Sequence, residues 1–366
     1  MTPRERMQAV FRGEEPDVMV WFGDLSYWHF AHGRIGDLPA AWEGPIGRHQ
    51  MHRDLGVGEY VPCSSAYDLR EGDEVHCRRE EKEGLFTTTW ETPAGTLTAR
   101  QQYSRVSFSY GYLEYPVKSA ADLEIVRYIE ERRVYLPIPE RAGQVNRELG
   151  DFGVPVDALP ATPLGTLLRD WTGITSLAFL VADEPEEIQK TVDCLAEAQN
   201  EPYRLVAESA DHLCLVAENL SAETMGGYFD RYLKDYLTMR VAGLHAAGKQ
   251  VFIHLDGTLR GVAEKVPATG IDCLDAVTPK PVGDVAMEHL RALIGEEILV
   301  IGGLPGAMFA PPFTAEDMRT HVLNIIRLHK DSGTFMFGVA DQVPPNADLG
   351  IVRLVGDLVE EYARYN

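Results

Sequence analysis

The chain has 366 residues, which is long for one average domain but within the range of barrels and other single-core folds. Hydrophobic residues make up 45% of it, enough for a sizeable core, and 56 Asp and Glu against 34 Lys and Arg give a formal net charge of -22. Such an acidic surface repels phosphate backbones and anionic lipid, which argues against nucleic acid and membrane surfaces as partners.

The N-terminal stretch MTPRERMQAVFRGEEPD predicts a helix, with Thr2 as N-cap, Pro3 at the first position and Glu5 as capping-box partner. It lacks the long apolar run of a signal peptide, and no apolar run in the chain reaches the roughly 18 residues of a membrane span. Five cysteines occur without any CxxC pair, which is typical of reduced thiols in a cytoplasmic protein: Cys63, Cys77, Cys194, Cys214 and Cys273.

The first half of the chain has an irregular pattern. DVMVWFGDL at 17–25 predicts a strand. Residues 74–115 alternate, with threonine and aromatic residues between glycine turns, and predict an antiparallel meander. Further elements are predicted in chain order: a helix over 118–131, a strand over 154–164, a strand over 176–182 and a helix over 185–209.

The second half repeats one unit five times, an apolar strand followed by an amphipathic helix. This alternation is typical of parallel strands covered by helices. The five strands and the three earlier ones predict a single (β/α)8 TIM barrel over 1–366, with the meander inserted near 74–115. A doubly wound open sheet is the alternative, but neither GxGxxG nor GxxxxGK[ST] occurs. The later strands are predicted at 212–220, 249–257, 271–279, 298–306 and 334–345.

A barrel of parallel strands places its site at the C-terminal strand ends. His254 ends the apolar run VFI, which fits either a site residue or a satisfied buried histidine, and Asp256 could instead cap a helix beginning near Thr258. Gly302 and Gly303 suit either a close ligand approach or a tight turn. The residues at predicted strand ends are Asp24, Glu218, His254, Asp256, Asp275, Gly302, Gly303 and Asp341.

Aromatic residues cluster after the first predicted strand. They could wall a substrate pocket or pack as ordinary core. We expect Asp24, His254 and Asp256 to be catalytic. The expected substrate-binding residues are Trp21, Phe22, Trp28, Gly302, Gly303 and Asp341.

Six segments of the chain resemble the uroporphyrinogen decarboxylase superfamily in the right order. They are TPRERMQAVFRGEEPD, YPVKSAADLE (115–124), LVAENL (215–220), GKQVFIHLDG (248–257), IGGLP (301–305) and GVADQVPPNAD (338–348). The resemblance implies a (β/α)8 barrel, found in the family as monomers or homodimers. It implies one of two chemistries: decarboxylation of uroporphyrinogen, or methyl transfer together with a corrinoid protein.

The decarboxylase branch grips a substrate with eight carboxylates, using two arginines in a motif of the form WFxRQxGR. In VWFGDLSYWHF (20–30), Asp24 stands at the first arginine position and Trp28 at the second. Replacing a guanidinium with a carboxylate turns attraction into repulsion. The late family histidine before VPP is similarly replaced by Phe337. Uroporphyrinogen is therefore a poor expected substrate.

The methyltransferase branch fits better but incompletely. Its thiol-methylating members use a His-x-Cys zinc motif, where this chain has His254 and then Asp256, and the later family cysteine falls near Phe337. Its O-demethylating members use a Glu–Glu–His set, whose positions fall on Glu218, Leu233 and His254. The resemblance thus implies Glu218, His254 and Asp256 as zinc ligands, an oxygen and nitrogen set that suits a catalytic zinc.

We therefore expect a corrinoid-dependent methyltransferase. It would move a methyl group from a small O- or N-methylated substrate to the cobalamin cobalt of a partner corrinoid protein, with zinc polarising the leaving oxygen or nitrogen. Two alternatives stay open: a metal-free decarboxylase or lyase using Asp24 or His254 as acid or base, and a non-catalytic small-molecule-binding barrel. A homodimer is compatible with the resemblance.

Overall fold

The structure is a computed structural model that describes residues 1–63 and 66–365. Helix α1 begins as predicted, because Thr2 and Glu5 form a reciprocal capping box. The first elements are α1 (Pro3–Phe11), α2 (Ser26–Ile35), α3 (Gly44–Leu55) and strand β1 (Glu59–Cys63).

An insertion follows β1 and contains the predicted meander as a four-stranded antiparallel sheet. Two further strands of the insertion pair with each other in a separate antiparallel ribbon. The ribbon consists of β2 (Tyr67–Arg70) and a later strand, and the meander of β3 (His76–Lys82), β4 (Leu85–Thr92), β5 (Gly95–Ser104) and β6 (Ser109–Glu114). Helix α4 (Asp122–Glu130), ribbon strand β7 (Val134–Pro137) and helix α5 (Pro139–Leu149) complete the insertion.

The remaining chain alternates strands with helices. The second of the five predicted strand–helix units is joined to the next strand by a 3-10 turn, Val266–Thr269, rather than an α-helix. The elements are β8 (Gly153–Leu159), α6 (Pro163–Thr166), α7 (Gly173–Asp183), α8 (Pro185–Ala198), α9 (Asn200–Glu208), β9 (Leu213–Leu220), α10 (Lys234–Ala246), β10 (Gln250–Leu255), β11 (Cys273–Val277), α11 (Met287–Ile294), β12 (Leu299–Pro305), α12 (Ala315–His329), β13 (Phe335–Ala340) and α13 (Leu349–Tyr362).

Seven strands form one parallel sheet in the order β1-β8-β9-β10-β11-β12-β13. The segment 18–22 lies between its two edges, with Trp21 bridged to Phe337 and Phe22 to Gly58, both in parallel. Backbone hydrogen bonds of 2.8–3.1 Å hold this segment on both sides. The result is a TIM-like α/β barrel in which isolated bridges, rather than a regular strand, occupy the predicted position 17–25.

The prediction of a strand over 176–182 is wrong, because these residues belong to helix α7. Leu177 and Leu180 are its buried side chains in this stretch, and their spacing is helical. A continuous apolar run cannot distinguish a strand period from a helical one. The strand missing from the prediction is β1, a short segment that contains Pro62.

Alternating side chains divide the core into two layers. The inner cluster fills the barrel and is closed by α1 residues such as Met7 and Phe11, while the outer cluster packs the sheet against the helices. On β10, Phe252 faces inward and its neighbours Val251 and Ile253 face outward. Cys273 belongs to the inner cluster, as expected for a core residue.

Four cysteines are free thiols in the described chain, as predicted. Cys77 is exposed, Cys194 is half-buried, and Cys214 and Cys273 are buried. The side chain of Cys63 lies outside the described part. Among the described helices, none is both long and apolar enough to cross a membrane.

Candidate functional site

His254 lies at the centre of a group of charged side chains on the C-terminal side of the sheet. Its Nδ1 atom is 3.0 Å from Oδ2 of Asp275, which lies on the neighbouring strand β11. Its Nε2 atom is 3.8 Å from Oδ1 of Asp341, which follows β13. The His254 side chain is 22% exposed, so it can reach a ligand while remaining mostly enclosed.

Tyr60 fixes the second oxygen of Asp275. The Tyr60 hydroxyl donates a hydrogen bond of 2.6 Å to Oδ1 of Asp275, whose side chain is almost completely buried. Tyr60 lies on β1 and packs edge-on against Phe252, so the contact reaches Asp275 through the barrel interior. One carboxylate oxygen of Asp275 therefore accepts a hydrogen bond from Tyr60, and the other contacts the ring of His254. These two contacts fix the position of the carboxylate.

A bulge in β11 sets the direction of the Asp275 side chain. The pairing with β12 shifts register between Leu274 and Val277, and Ala276 takes a φ of 62°. A non-glycine residue in this left-handed region costs about 1–2 kcal/mol. The Thr278 hydroxyl donates a hydrogen bond of 3.0 Å to the Ala276 carbonyl and so supports the bulge. Such local strain is common where a strand aims a side chain at a site.

The surrounding carboxylates make His254 cationic at neutral pH. Burial alone would lower the pKa of His254, but the hydrogen bond to Asp275 and the charges of Asp275, Asp256 and Asp341 raise it to about 9. Burial in turn raises the pKa of both Asp256 and Asp341, against the opposing charge of His254. The group therefore combines an imidazolium proton donor with several carboxylates.

Asp24 stands at the edge of this group and also begins helix α2. Its Oδ1 accepts a hydrogen bond of 2.7 Å from the Ser26 backbone N–H, and its Oδ2 accepts one of 3.1 Å from Gln342. Its charge contributes to the raised pKa of Asp341. Asp24 is thus a structural acceptor beside the site, and its predicted catalytic role stays a prediction.

Asp256 does not cap the turn that follows β10. The carboxylate of Asp284 accepts the backbone N–H groups of Leu259 and Arg260 instead, at 2.8 and 3.3 Å. Asp256 is half-buried, and its charge is among those that raise the pKa of His254. These contacts argue against the capping role of Asp256, and its predicted site role stays a prediction.

Glu218 does not join His254. Its Oε2 accepts hydrogen bonds from the Thr162 backbone N–H at 2.8 Å and the Thr162 hydroxyl at 2.5 Å. A Cβ atom at Gly165 would lie 2.1 Å from Oε1, so the carboxylate fits closely against the start of α6. Burial raises the pKa of Glu218, against these hydrogen bonds and the charge of Arg169. The hydrogen-bonding capacity of Glu218 is directed to the β8–α6 connection.

The residues as arranged do not fit the zinc site that the resemblance implied. Within residues 1–63 and 66–365, no group of three or more His, Cys, Asp or Glu side chains is placed to hold a metal ion. Leu233 and Phe337, at the other family ligand positions, are fully buried in the outer cluster.

The predicted aromatic pocket is divided between the two core layers. Phe22 belongs to the inner cluster, whereas Trp21 and Trp28 pack in the outer one. Trp28 stacks on His32 with ring centroids 3.9 Å apart and meets Trp42 edge-on. Trp21 and Trp28 thus pack in the outer cluster, and their predicted substrate-binding role stays a prediction.

Gly302 and Gly303 are required by packing. A Cβ atom at Gly302 would lie 2.6 Å from backbone atoms of Val277, directly beside the bulge, and one at Gly303 would lie 2.8 Å from the ring of Phe335. The φ angles are 151° and 89°, which favour glycine. The structure therefore explains both glycines by the close approach of neighbouring strands and side chains.

Sequence analysis did not assign a role to Tyr60, and it named Asp275 only as a strand-end residue. The strand-end position of Asp275 was visible in IDCLDAVTP, but its direction depends on the bulge at Ala276. Tyr60 carries no comparable signal, because its strand is short and its contact with Asp275 is made between strands that are distant in the sequence.

Comparison with known proteins identifies the family and the fold. The sequence model described as "Uroporphyrinogen decarboxylase (URO-D)" matches residues 112–362. No curated protein matches the chain by sequence. Among solved structures, a methyltransferase from Methanosarcina mazei is similar over 99% of both chains, with 13% identity and a TM-score of 0.63. A B12-independent methionine synthase from Shewanella sp. W3-18-1 is similar over 89% of this chain and 91% of its own, with 13% identity and a TM-score of 0.46.

Proposed function

Because the chain belongs to the uroporphyrinogen decarboxylase family, we propose that it is a methyltransferase built on that family's fold. It takes a methyl group from a small N- or O-methylated compound and passes it to a corrinoid carried by a partner protein. The observation that carries this proposal is the cationic His254, which lies between Asp275 and Asp341 and is partly exposed, so that it can act as a proton donor. The corrinoid would supply the cobalt that accepts the methyl group.

The residues of this chain would bind the methylated compound and protonate its leaving atom. Nδ1 of His254 donates to Asp275, so the Nε2 proton faces the more open side of the group, toward Asp341. As the carbon–oxygen or carbon–nitrogen bond breaks, this proton moves from Nε2 to the leaving oxygen or nitrogen. Asp275 and Tyr60 hold the ring in place during the transfer, and a proton from solvent restores His254.

The charges around His254 favour a neutral or cationic substrate over uroporphyrinogen. Asp275, Asp256 and Asp341 stand around a single imidazolium, and the two family arginine positions hold Asp24, which acts on Asp341, and Trp28. A substrate carboxylate about 4 Å from one of these groups would be repelled by about 4 kcal/mol in a partly buried setting. A methylated ammonium group or ether avoids that repulsion.

The proton of His254 would stabilise the leaving oxygen or nitrogen. The family resemblance implied zinc for this role. Zinc itself stays a prediction, and none of the steps described for these residues depends on it. We also propose that the segment 18–22 is the eighth strand of a complete (β/α)8 barrel, since it bridges both edges of the seven-stranded sheet.

Decarboxylation is the second candidate, favoured by the family itself. After loss of carbon dioxide, the same His254 proton would neutralise the carbanion.

Incubation of the purified chain with free cob(I)alamin and small methylated amines and ethers, followed by NMR, tests the first proposal. We expect demethylated product with the native chain and a loss of 100-fold or more with His254→Gln. Release of carbon dioxide from carboxylated substrates, without any methyl transfer, would establish the second candidate instead.

A further inference from the structure

A cavity of about 530 Å³ lies beside the acidic group, between α2, the start of α3 and the segment after β13. It is large enough for a small organic ligand. Gln342 forms part of its wall and follows Asp341 directly in the chain. The main side chains around the cavity are Ser26, Tyr27, His29, Phe30, Arg48 and Gln342.

Most polar groups in this wall already have partners within the fold. The Tyr27 hydroxyl donates to the Ser107 carbonyl, and Nε2 of His29 contacts the Trp42 carbonyl oxygen at 2.5 Å. Gln342 donates to both Asp24 and Ser26, each at 3.1 Å. These contacts shape the cavity but leave those groups little capacity for a ligand.

Arg48 is the exception in the wall. Its side chain is half-buried on α3, yet within the described part of the chain it forms no ion pair and donates no hydrogen bond. The nearby acid Glu59 contacts two histidines, at 2.6 Å to Nδ1 of His49 and 3.7 Å to Nε2 of His52, and the charge of Arg48 reaches it without a direct contact. A half-buried guanidinium offers a planar pair of donors that matches a carboxylate.

Arg48 places a positive charge in the wall of the cavity, and Gln342 connects the opposite wall to the acidic group through its hydrogen bond to Asp24. Asp24 lies on the side of Gln342 and Asp341, and Arg48 stands on α3. We propose that this cavity is a second part of the substrate site, in which Arg48 binds a carboxylate of the methylated compound. The substrate class is then a small carboxylate that also bears an N-methyl or O-methyl group, with its methylated end toward His254. This inference deepens the proposed function and rests on it.

Two matched ligand pairs test the inference by calorimetry on the purified chain, without corrinoid. Trimethylglycine and choline share a quaternary ammonium group, but only trimethylglycine has a carboxylate. Methoxyacetate and 2-methoxyethanol share a methyl ether, but only methoxyacetate has a carboxylate. We expect the carboxylate member of at least one pair to bind about tenfold more tightly, as one charge-assisted contact allows. Arg48→Gln should remove this preference, and Arg48→Lys should restore part of it.

Arg353→Gln is the matched control, because it removes the same charge from an exposed arginine on α13. It should leave the preference unchanged, and thermal unfolding should show that all three variants are folded. Acetate, which has no transferable group, separates this inference from the proposed function: Arg48-dependent binding of acetate supports the subsite even if no methyl transfer occurs. Equal binding within both pairs, or a preference that survives in Arg48→Gln, would overturn the inference.

Discussion

Tyr60 and Asp275 are joined by a hydrogen bond of 2.6 Å, although β1 and β11 are four positions apart in the sheet. The bond holds one oxygen of Asp275, and the other lies 3.0 Å from Nδ1 of His254. A chain of contacts thus joins β1, β11 and β10 and fixes the position of the His254 ring.

Replacing Asp275 should lower the pKa of His254 toward the usual value of a histidine. Asp275→Asn removes the charge and the acceptor that do most to raise the pKa of His254, so that pKa should fall from about 9 toward or below its usual 6.5. NMR titration of the imidazole signals measures the change. The control is Asp272→Asn, which alters the partly exposed pair between Asp272 and His245 at 2.9 Å and should leave the His254 titration in place. An unchanged His254 titration in Asp275→Asn would refute the assignment.

The stability of the protein should fall as pH rises from about 6.5 to about 9. The folded state holds the His254 proton up to a pKa of about 9, whereas the unfolded chain releases it near 6.5. The stabilisation is complete below the lower value and lost above the upper one, and it is on the order of 3 kcal/mol. Urea unfolding at pH 6 and pH 9.5 should show this loss in the native chain and a smaller one in His254→Gln. Equal losses in both proteins would contradict the prediction.

The Tyr60 hydroxyl should contribute more stability than an ordinary tyrosine hydroxyl. Tyr60→Phe removes a hydrogen bond to a buried carboxylate, and we expect a decrease of about 2 kcal/mol in the free energy of unfolding. Tyr67→Phe is the matched control, since its hydroxyl donates to the neutral Ala158 carbonyl at 3.2 Å. That change should cost about 1 kcal/mol. Chemical denaturation measures the loss of unfolding free energy in both variants. Equal losses would show that the charged acceptor adds no stability.

Alanine at position 302 should destabilise the protein without any ligand present. The new methyl group would lie 2.6 Å from Val277 backbone atoms in a conformation with φ at 151°. We expect a loss of about 3 kcal/mol from overpacking and strain together. Gly36→Ala is the control, because its φ of 84° lies in the ordinary left-handed region and no atom lies within 4 Å of the added carbon. It should cost about 1 kcal/mol. If Gly302→Ala changed only ligand affinity, the packing role would be wrong.

Glu218→Gln distinguishes a structural acid from a metal ligand. The amide oxygen can still accept from Thr162, so stability should change by about 1 kcal/mol or less and activity should remain within about threefold. His254→Gln should instead remove activity. Metal analysis of the purified native protein completes the test. One zinc per chain, lost together with activity in Glu218→Gln, would restore the ligand set implied by the family resemblance.

The sequence indicated the parts of the site that follow from strand order alone. His254 and Asp341 were predicted at the ends of two strands, and these ends meet because all seven strands run in parallel. The direction of Glu218 could not be predicted. The run HLCLVAENL is apolar on both faces, so it does not show which alternate residues point inward. In the structure Cys214 and Val216 pack outward, and Glu218 follows them at the same spacing.

The other unpredicted features depend on contacts between distant parts of the chain. Asp275 reaches His254 because of the bulge at Ala276, and a single strand sequence does not reveal a bulge that forms against β12. Arg48 lies on a helix far from any strand end in the sequence, and its place beside Gln342 results from the closure of the barrel. Packing between elements, rather than the pattern within one element, determines these positions.

The bridging segment at 18–22 makes one seam of the barrel weaker than the rest. A few backbone hydrogen bonds hold it to Phe337 on one side and to Gly58 on the other, whereas neighbouring strands elsewhere share longer ladders. Amide hydrogens along this seam should therefore exchange with solvent sooner than those of β12 and β13. Because Asp24 follows this seam closely in the chain, opening of the barrel there would first disturb the hydrogen bonds that Asp24 accepts from Ser26 and Gln342.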